Sequence, residues 1–233
     1  MPNEKSLPAS AAEFDYRKAA GKNEARFIPP FFRINKYFNR PAASLIVRAV
    51  YRTRITPNQL TGLSFLVGLG GAFFFFQGRT RLFIVAGILT QLASIIDCAD
   101  GMLARVRGQE SRFGAYLDLI FDRITEFFVI TGSAYGFFRA TGRISVFIVG
   151  LVAGALYFLQ TSLHYLLKPY FGDLRVGETA ESRAWLMALT ALFGVVNRLD
   201  WGFYTLFVIS LAINASILVR FFRARRNGGA FPS

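Results

Sequence analysis

The chain has one cysteine and one histidine in 233 residues. A lone Cys98 cannot build an intramolecular disulfide framework and says little about redox compartment. His164 sits in an apolar stretch and reads as a packed or hydrogen-bonded side chain rather than a metal ligand. Acidic residues are also scarce: 14 Asp and Glu stand against 27 Lys and Arg, for a net charge of +13. The first fifty residues carry many charges and lack the apolar core and cleavage pattern of a signal peptide. No convincing internal repeat is present. A basic chain can bind nucleic acid, but this one is 53% hydrophobic with a mean hydropathy of +0.38. That combination points to an anionic membrane surface, and no nucleic-acid partner is expected.

The apolar residues come in long blocks, and a spanning helix needs about 20 such residues. Six membrane spans are expected, near 57–77, 82–105, 112–138, 144–167, 183–197 and 201–222. The fold class is therefore an all-α integral membrane protein. Residues 1–54 form a basic N-terminal region, 55–225 the six-helix domain and 226–233 a tail. Within the first region, "FIPPFFRINKYFNRPAASLIVRAVYRTR" mixes aromatics with Arg and Lys, as an interfacial amphipathic helix does. "QGRT", "RATGR" and "NRLD" read as tight turns. Gly132/Gly136 and Gly150/Gly154 have the small-xxx-small spacing of close helix packing. Most basic residues fall on the side holding both termini and the 106–111 and 168–182 loops, whereas Arg79, Arg81, Arg139, Arg143 and Arg198 fall on the other. The positive-inside rule then puts both termini in the cytoplasm.

Against this background, "DCADGMLARVRGQESRFGAYLDLIFD" is anomalous, because it brings four aspartates to the ends of two spans. Asp97 and Asp100 share one helix face, and Asp118 and Asp122 share a face of the next. The short loop between makes these helices antiparallel neighbours, so the two faces can converge. Four carboxylates in low dielectric repel and resist ionisation, and charge at membrane depth costs several kcal/mol. Divalent cations resolve the conflict. Oxygen ligands favour Mg²⁺ or Mn²⁺ over zinc, and a pair of ions suits displacement at phosphorus. Gly101 and Ala104 leave space beside the carboxylates, Arg105 offers a forked phosphate donor, and Gly114 opens the next helix. Upstream, Thr56 and Pro57 look like the cap and first residue of a helix whose free N–H groups can also meet an anion.

These residues closely resemble the signature of the CDP-alcohol phosphatidyltransferase family, Asp-x2-Asp-Gly-x2-Ala-Arg-x8-Gly-x3-Asp-x3-Asp. Asp97, Asp100, Gly101, Ala104, Arg105, Gly114, Asp118 and Asp122 fill it with every spacing met. The resemblance implies that Asp97, Asp100, Asp118 and Asp122 hold two Mg²⁺ or Mn²⁺ ions, with Asp122 also the general base. It implies that Thr56, Pro57, Asn58, Gln59, Gly101, Ala104, Arg105, Ser111 and Gly114 meet the CDP donor. The reaction would be attack of an alcohol on the β-phosphate of CDP-diacylglycerol, releasing CMP, by a homodimer.

"SRFGAYLDLIFDR" is similar to the "RFGA-x-LD-x3-DR" segment of phosphatidylinositol and phosphatidylinositol-phosphate synthases, through Arg112 and Arg123. "VGETAESR" resembles a stretch of the same enzymes and adds Arg183, with Lys168 and Arg175 nearby, as acceptor ligands. Glycerol phosphate, serine or another CDP-alcohol donor are the alternatives within the family. Outside it stand a divalent-cation transporter, which has no use for Gly101 and Arg105 at this spacing, and a silent membrane scaffold. Glu126, one turn beyond Asp122, reads either as tuning the site or as pairing with an arginine.

Overall fold

The structure is a computed structural model and describes residues 34–171 and 179–226. All regular structure among these residues is helical. A π-helical turn, Asn35–Asn39, runs into α1, Arg40–Val50. Six longer helices follow: α2 Pro57–Phe76, α3 Thr80–Arg107, α4 Arg112–Thr141, α5 Ile144–Phe171, α6 Thr179–Val195 and α7 Leu199–Arg226. They fall where the six apolar blocks were expected. Four segments are long and apolar enough to cross a membrane: Pro57–Phe76, Thr80–Arg107, Ile144–Leu163 and Leu199–Arg223. The apolar part of α6, Arg183–Val195, is shorter, and α4 carries the charges of the aspartate motif.

Local chemistry sets the helix ends. Thr56 and Gln59 form a full capping box at the start of α2, each side chain bonded to the other's backbone N–H, with Pro57 at the first position. Ser111 caps α4 by accepting from Gly114 N at 3.0 Å. Helices α3 and α4 end on Gly108 and Gly142, at φ 64° and 70°, where a side chain would be strained. Arg107, the last residue of α3, fastens the loop between α1 and α2. Its guanidinium reaches the carbonyls of Val50, Tyr51, Thr53 and Ile55 at 2.5–2.9 Å.

Helix α3 is central, packing on α1, α2 and α6, while α2 also packs on α4 and α5 on α7. Small residues permit the close approaches. A Cβ on Gly136 would collide with the Phe75 carbonyl, and one on Gly150 would lie 2.9 Å from Ala134 Cβ. Both small-xxx-small pairs are therefore used inside the chain. One apolar cluster, with Phe75, Phe83, Phe137, Met187 and Phe203, fills the bundle. A second, with Val47, Leu60, Ile96, Met102 and Leu103, seats α1 against the aspartate-bearing end of α3. Outward-facing Leu66, Ile88, Ile148 and Val208 are exposed, as side chains that meet lipid must be.

Candidate active site

The antiparallel pair α3 and α4 brings the aspartates together. Carboxylate oxygens of Asp97, Asp100 and Asp118 all lie within 4.8 Å of one another. Asp100 is buried and accepts a 2.5 Å hydrogen bond from the Thr61 hydroxyl of α2. Asp97 Oδ1 and Asp118 Oδ1 are buried without a hydrogen-bond partner. Unpartnered buried carboxylate oxygens are costly, and an all-oxygen trio at this spacing fits a hard divalent cation.

The fourth expected ligand stands apart from the trio. Asp122 lines the same cavity, but its Oδ1 is 2.6 Å from Arg183 Nη2. Arg183 reaches across from α6, pairs through Nη1 with Asp97 Oδ2, and has Nε 3.5 Å from Glu126 Oε1. Glu126 is wholly buried, accepts from Tyr157 OH at 2.9 Å, and pairs with Arg123 Nη1 at 2.8 Å. Pairing with arginine is thus the observed role for Glu126, and it links α4, α5 and α6 behind the aspartates.

Two cavities meet at the trio. The larger, about 330 Å³, is lined by all four aspartates and by Arg40, Arg105, Arg123 and Arg183. The smaller, about 190 Å³, is lined by Pro57, Asn58, Thr61, Ala104, Ser111 and Gly114 among others. Asp100, Gly101, Arg105, Ala115 and Asp118 border both. The signature glycines have spatial reasons. A Cβ on Gly101 would sit 3.3 Å from Arg105 Nη1, and one on Gly114 would sit 3.1 Å from Asn58 Oδ1 and Ser111 Oγ. Glycine lets a guanidinium lie against one helix and two polar side chains crowd the start of the other.

Some expected site residues are elsewhere. Thr56 and Gln59 cap each other and line neither cavity. Arg112 is exposed and lines neither. Arg175 lies outside the described residues, as does the side chain of Lys168. Cys98, expected to face away from the aspartates, lines the larger cavity and donates weakly to Asn35 Oδ1 at 3.5 Å. Thr61, Asn35, Arg40, Ser94 and Tyr157 were not anticipated. Thr61 follows Pro57 by one helical turn, so its place beneath the cap was readable. Tyr157 and Arg40 offered no local signal.

The fold and the site together define an α-helical bundle with membrane-length apolar helices and a carboxylate cluster fit for a divalent cation. Residues 54–219 match the sequence model of the CDP-alcohol phosphatidyltransferase family, and the chain belongs to that family. Among its relatives, the archaetidylinositol phosphate synthase of Pyrococcus horikoshii is 40% identical over 83 residues, 35% of this chain and 42% of that one. The bifunctional IPC transferase and DIPP synthase of Archaeoglobus fulgidus is 28% identical over 197 residues, 79% of this chain and 37% of that one. The phosphatidylinositol phosphate synthase of Corynebacterium glutamicum is 38% identical over 86 residues, 37% of this chain and 36% of that one. The chain spans about two-fifths of the length of these curated relatives. The crystal structure of Mycobacterium tuberculosis phosphatidylinositol phosphate synthase with CDP-DAG bound has the same fold. Its TM-score is 0.62 at 21% identity, covering 77% of this chain and 92% of that one.

Proposed function

We propose that the chain moves the phosphatidyl group of CDP-diacylglycerol to a polar alcohol of the inositol phosphate class and releases CMP. One observation carries the reading: the Asp97–Asp100–Asp118 trio lies where two cavities join, one of them walled by Arg123 and Arg183. The relatives named for inositol phosphate lipids support that acceptor over glycerol phosphate or serine.

The smaller cavity takes the CDP part of the donor, with Asn58, Ser111 and Arg105 as its polar contacts. Asp97, Asp100 and Asp118, with Asp122, would hold Mg²⁺ or Mn²⁺. Such ions would supply positive charge to offset the diphosphate and the charge developing on the leaving CMP. The larger cavity takes the acceptor, its phosphate meeting Arg123 and Arg183. Arg183 is shared between Asp97 and Asp122, so an acceptor phosphate that draws the guanidinium away frees the Asp122 carboxylate. That carboxylate takes the proton of the attacking hydroxyl. The alcohol oxygen bonds to the β-phosphorus as the bond from that phosphorus to the CMP oxygen breaks.

In the membrane, α2 to α7 serve as six spans and α1 lies along the interface. Both termini and the site face the cytoplasm, and the working unit is a homodimer. The amphipathic composition of the α1 region and the Lys/Arg asymmetry support this placement.

The test is direct. Purified protein is incubated with CDP-diacylglycerol and Mg²⁺ or Mn²⁺, and inositol phosphate, inositol, glycerol phosphate and serine are offered in parallel. The expected outcome is stoichiometric CMP with a lipid product of the mass given by inositol phosphate. A product from glycerol phosphate or serine alone would replace the acceptor assignment. Metal flux through vesicles without CMP release would replace the enzyme assignment with a transporter.

A further inference from the structure

Two residues of the larger cavity, Asn35 and Arg40, precede the family match, which begins at residue 54. Their position is built, not incidental. Pro41 has no N–H to donate, and its ring crowds the carbonyl four residues back. The turn before it widens accordingly, and the Arg40 N–H reaches back to Asn35 O in a π-type bond. A polar ladder then locks this turn to α3. Asn39, 0% exposed, donates through Nδ2 to Asn35 Oδ1 at 2.9 Å and to Ser94 Oγ at 3.1 Å. Its Oδ1 accepts from Gln91 Nε2 at 2.8 Å. Every donor and acceptor of the buried amide is engaged, which fixes the register of the turn against the aspartate helix.

The charges around the cavity distinguish Arg40. Arg183 is committed to Asp97 and Asp122, and Arg123 to Glu126. Arg40 makes no ion pair among the described residues, although it faces the same cavity. It lines the larger cavity and not the smaller one, so it stands with the acceptor arginines and away from Asn58 and Ser111. The geometry points to Arg40 as a further ligand for the acceptor's phosphate, held in place by the Asn35–Asn39–Ser94 ladder. This rests on the phosphorylated-acceptor reading above. The N-terminal helix then takes part in specificity as well as in anchoring.

The experiment compares wild type, Arg40→Gln and Arg40→Lys as full chains, with KM measured separately for inositol phosphate and for CDP-diacylglycerol. Losing one charge-assisted contact raises the acceptor KM by about tenfold or more. The donor KM stays within about twofold, and lysine restores part of the loss. An acceptor KM unchanged in Arg40→Gln overturns the inference and leaves the function intact. So does a rise confined to the donor KM, or a fall in kcat and thermal stability together that lysine does not relieve. If the wild type transfers to no phosphorylated acceptor, the functional reading fails first and the inference with it.

Discussion

Two arginine–aspartate groups tie the helices together, one at each end of the bundle. At the end opposite the candidate site, Asp200 of α7 pairs with Arg143 at 3.2 Å and Arg198 at 3.4 Å, and Arg198 also lies over the Trp201 ring. Both arginine side chains there are about half exposed, at 49% and 56%. At the other end Arg183 is 10% exposed and pairs with Asp97 and Asp122, while two aspartate oxygens beside it have no partner. The residue types are the same, and the energetics differ. Asp200 itself is only 13% exposed, but the half-exposed guanidiniums keep water at the pair, which limits what it gains and what its loss costs. Buried charge is costly even when paired, and unpartnered oxygens add to that cost. A fold can seal a helix end with the first kind. The second kind calls for something that completes it, which in the proposed function is a cation and phosphates.

The comparison is broken most severely by removing a carboxylate from the trio. Asp97→Ala or Asp118→Ala is expected to abolish CMP release while the protein remains folded in detergent, and EDTA should do the same to the wild type. Full activity under either condition would mean the trio binds no essential metal. The next effect is smaller and separates two roles at one site. Asp122→Asn keeps size and hydrogen-bonding capacity but loses the basic oxygen. The rate should fall by about 10²-fold or more, with metal binding, followed by Mn²⁺ resonance, still measurable. A near-normal rate would assign the proton to another group.

A milder test falls on the buried network behind the aspartates. Glu126→Gln keeps an acceptor for Tyr157 OH but removes the charge that Arg123 and Arg183 face. The arginines should lose orientation while metal and donor sites stay intact. An acceptor KM raised by roughly three- to tenfold, with kcat and donor KM little changed, is the expected signature of such a coupling. Loss of kcat without a change in acceptor KM would place Glu126 in the chemistry instead.

These variants also mark how far the sequence could be read. The four aspartates, Gly101 and Gly114 follow from spacing, because helical geometry alone decides which of them share a face. The α2 cap was equally legible, but its two side chains are consumed by each other and do not line the smaller cavity. What spacing cannot carry is contact between helices. Arg183 meets Asp97 across 86 positions, Tyr157 meets Glu126 across 31, and Asn39 meets Ser94 across 55. Each depends on how α3, α4, α5, α6 and the N-terminal turn pack, which no local pattern states. The widened turn before Pro41 had a signal in that proline, yet only its bonds to Gln91 and Ser94 reveal which way it faces.

The smallest expected effect lies at the far end and serves as the control for the whole contrast. Asp200→Asn removes the charge shared by Arg143 and Arg198 and weakens the match with the α7 N-terminus. Because both arginines are half exposed, solvent takes over much of what the carboxylate supplied. The loss of stability should be about 1 kcal/mol or less, read as a small drop in melting temperature. Activity, acceptor KM and donor KM should match the wild type, since no side chain of this group lines either cavity. If Asp200→Asn instead lowered turnover as Asp122→Asn does, the two ends would be coupled through the helices. Pairs with buried and with half-exposed arginines could then no longer be sorted into site and seal by their surroundings alone.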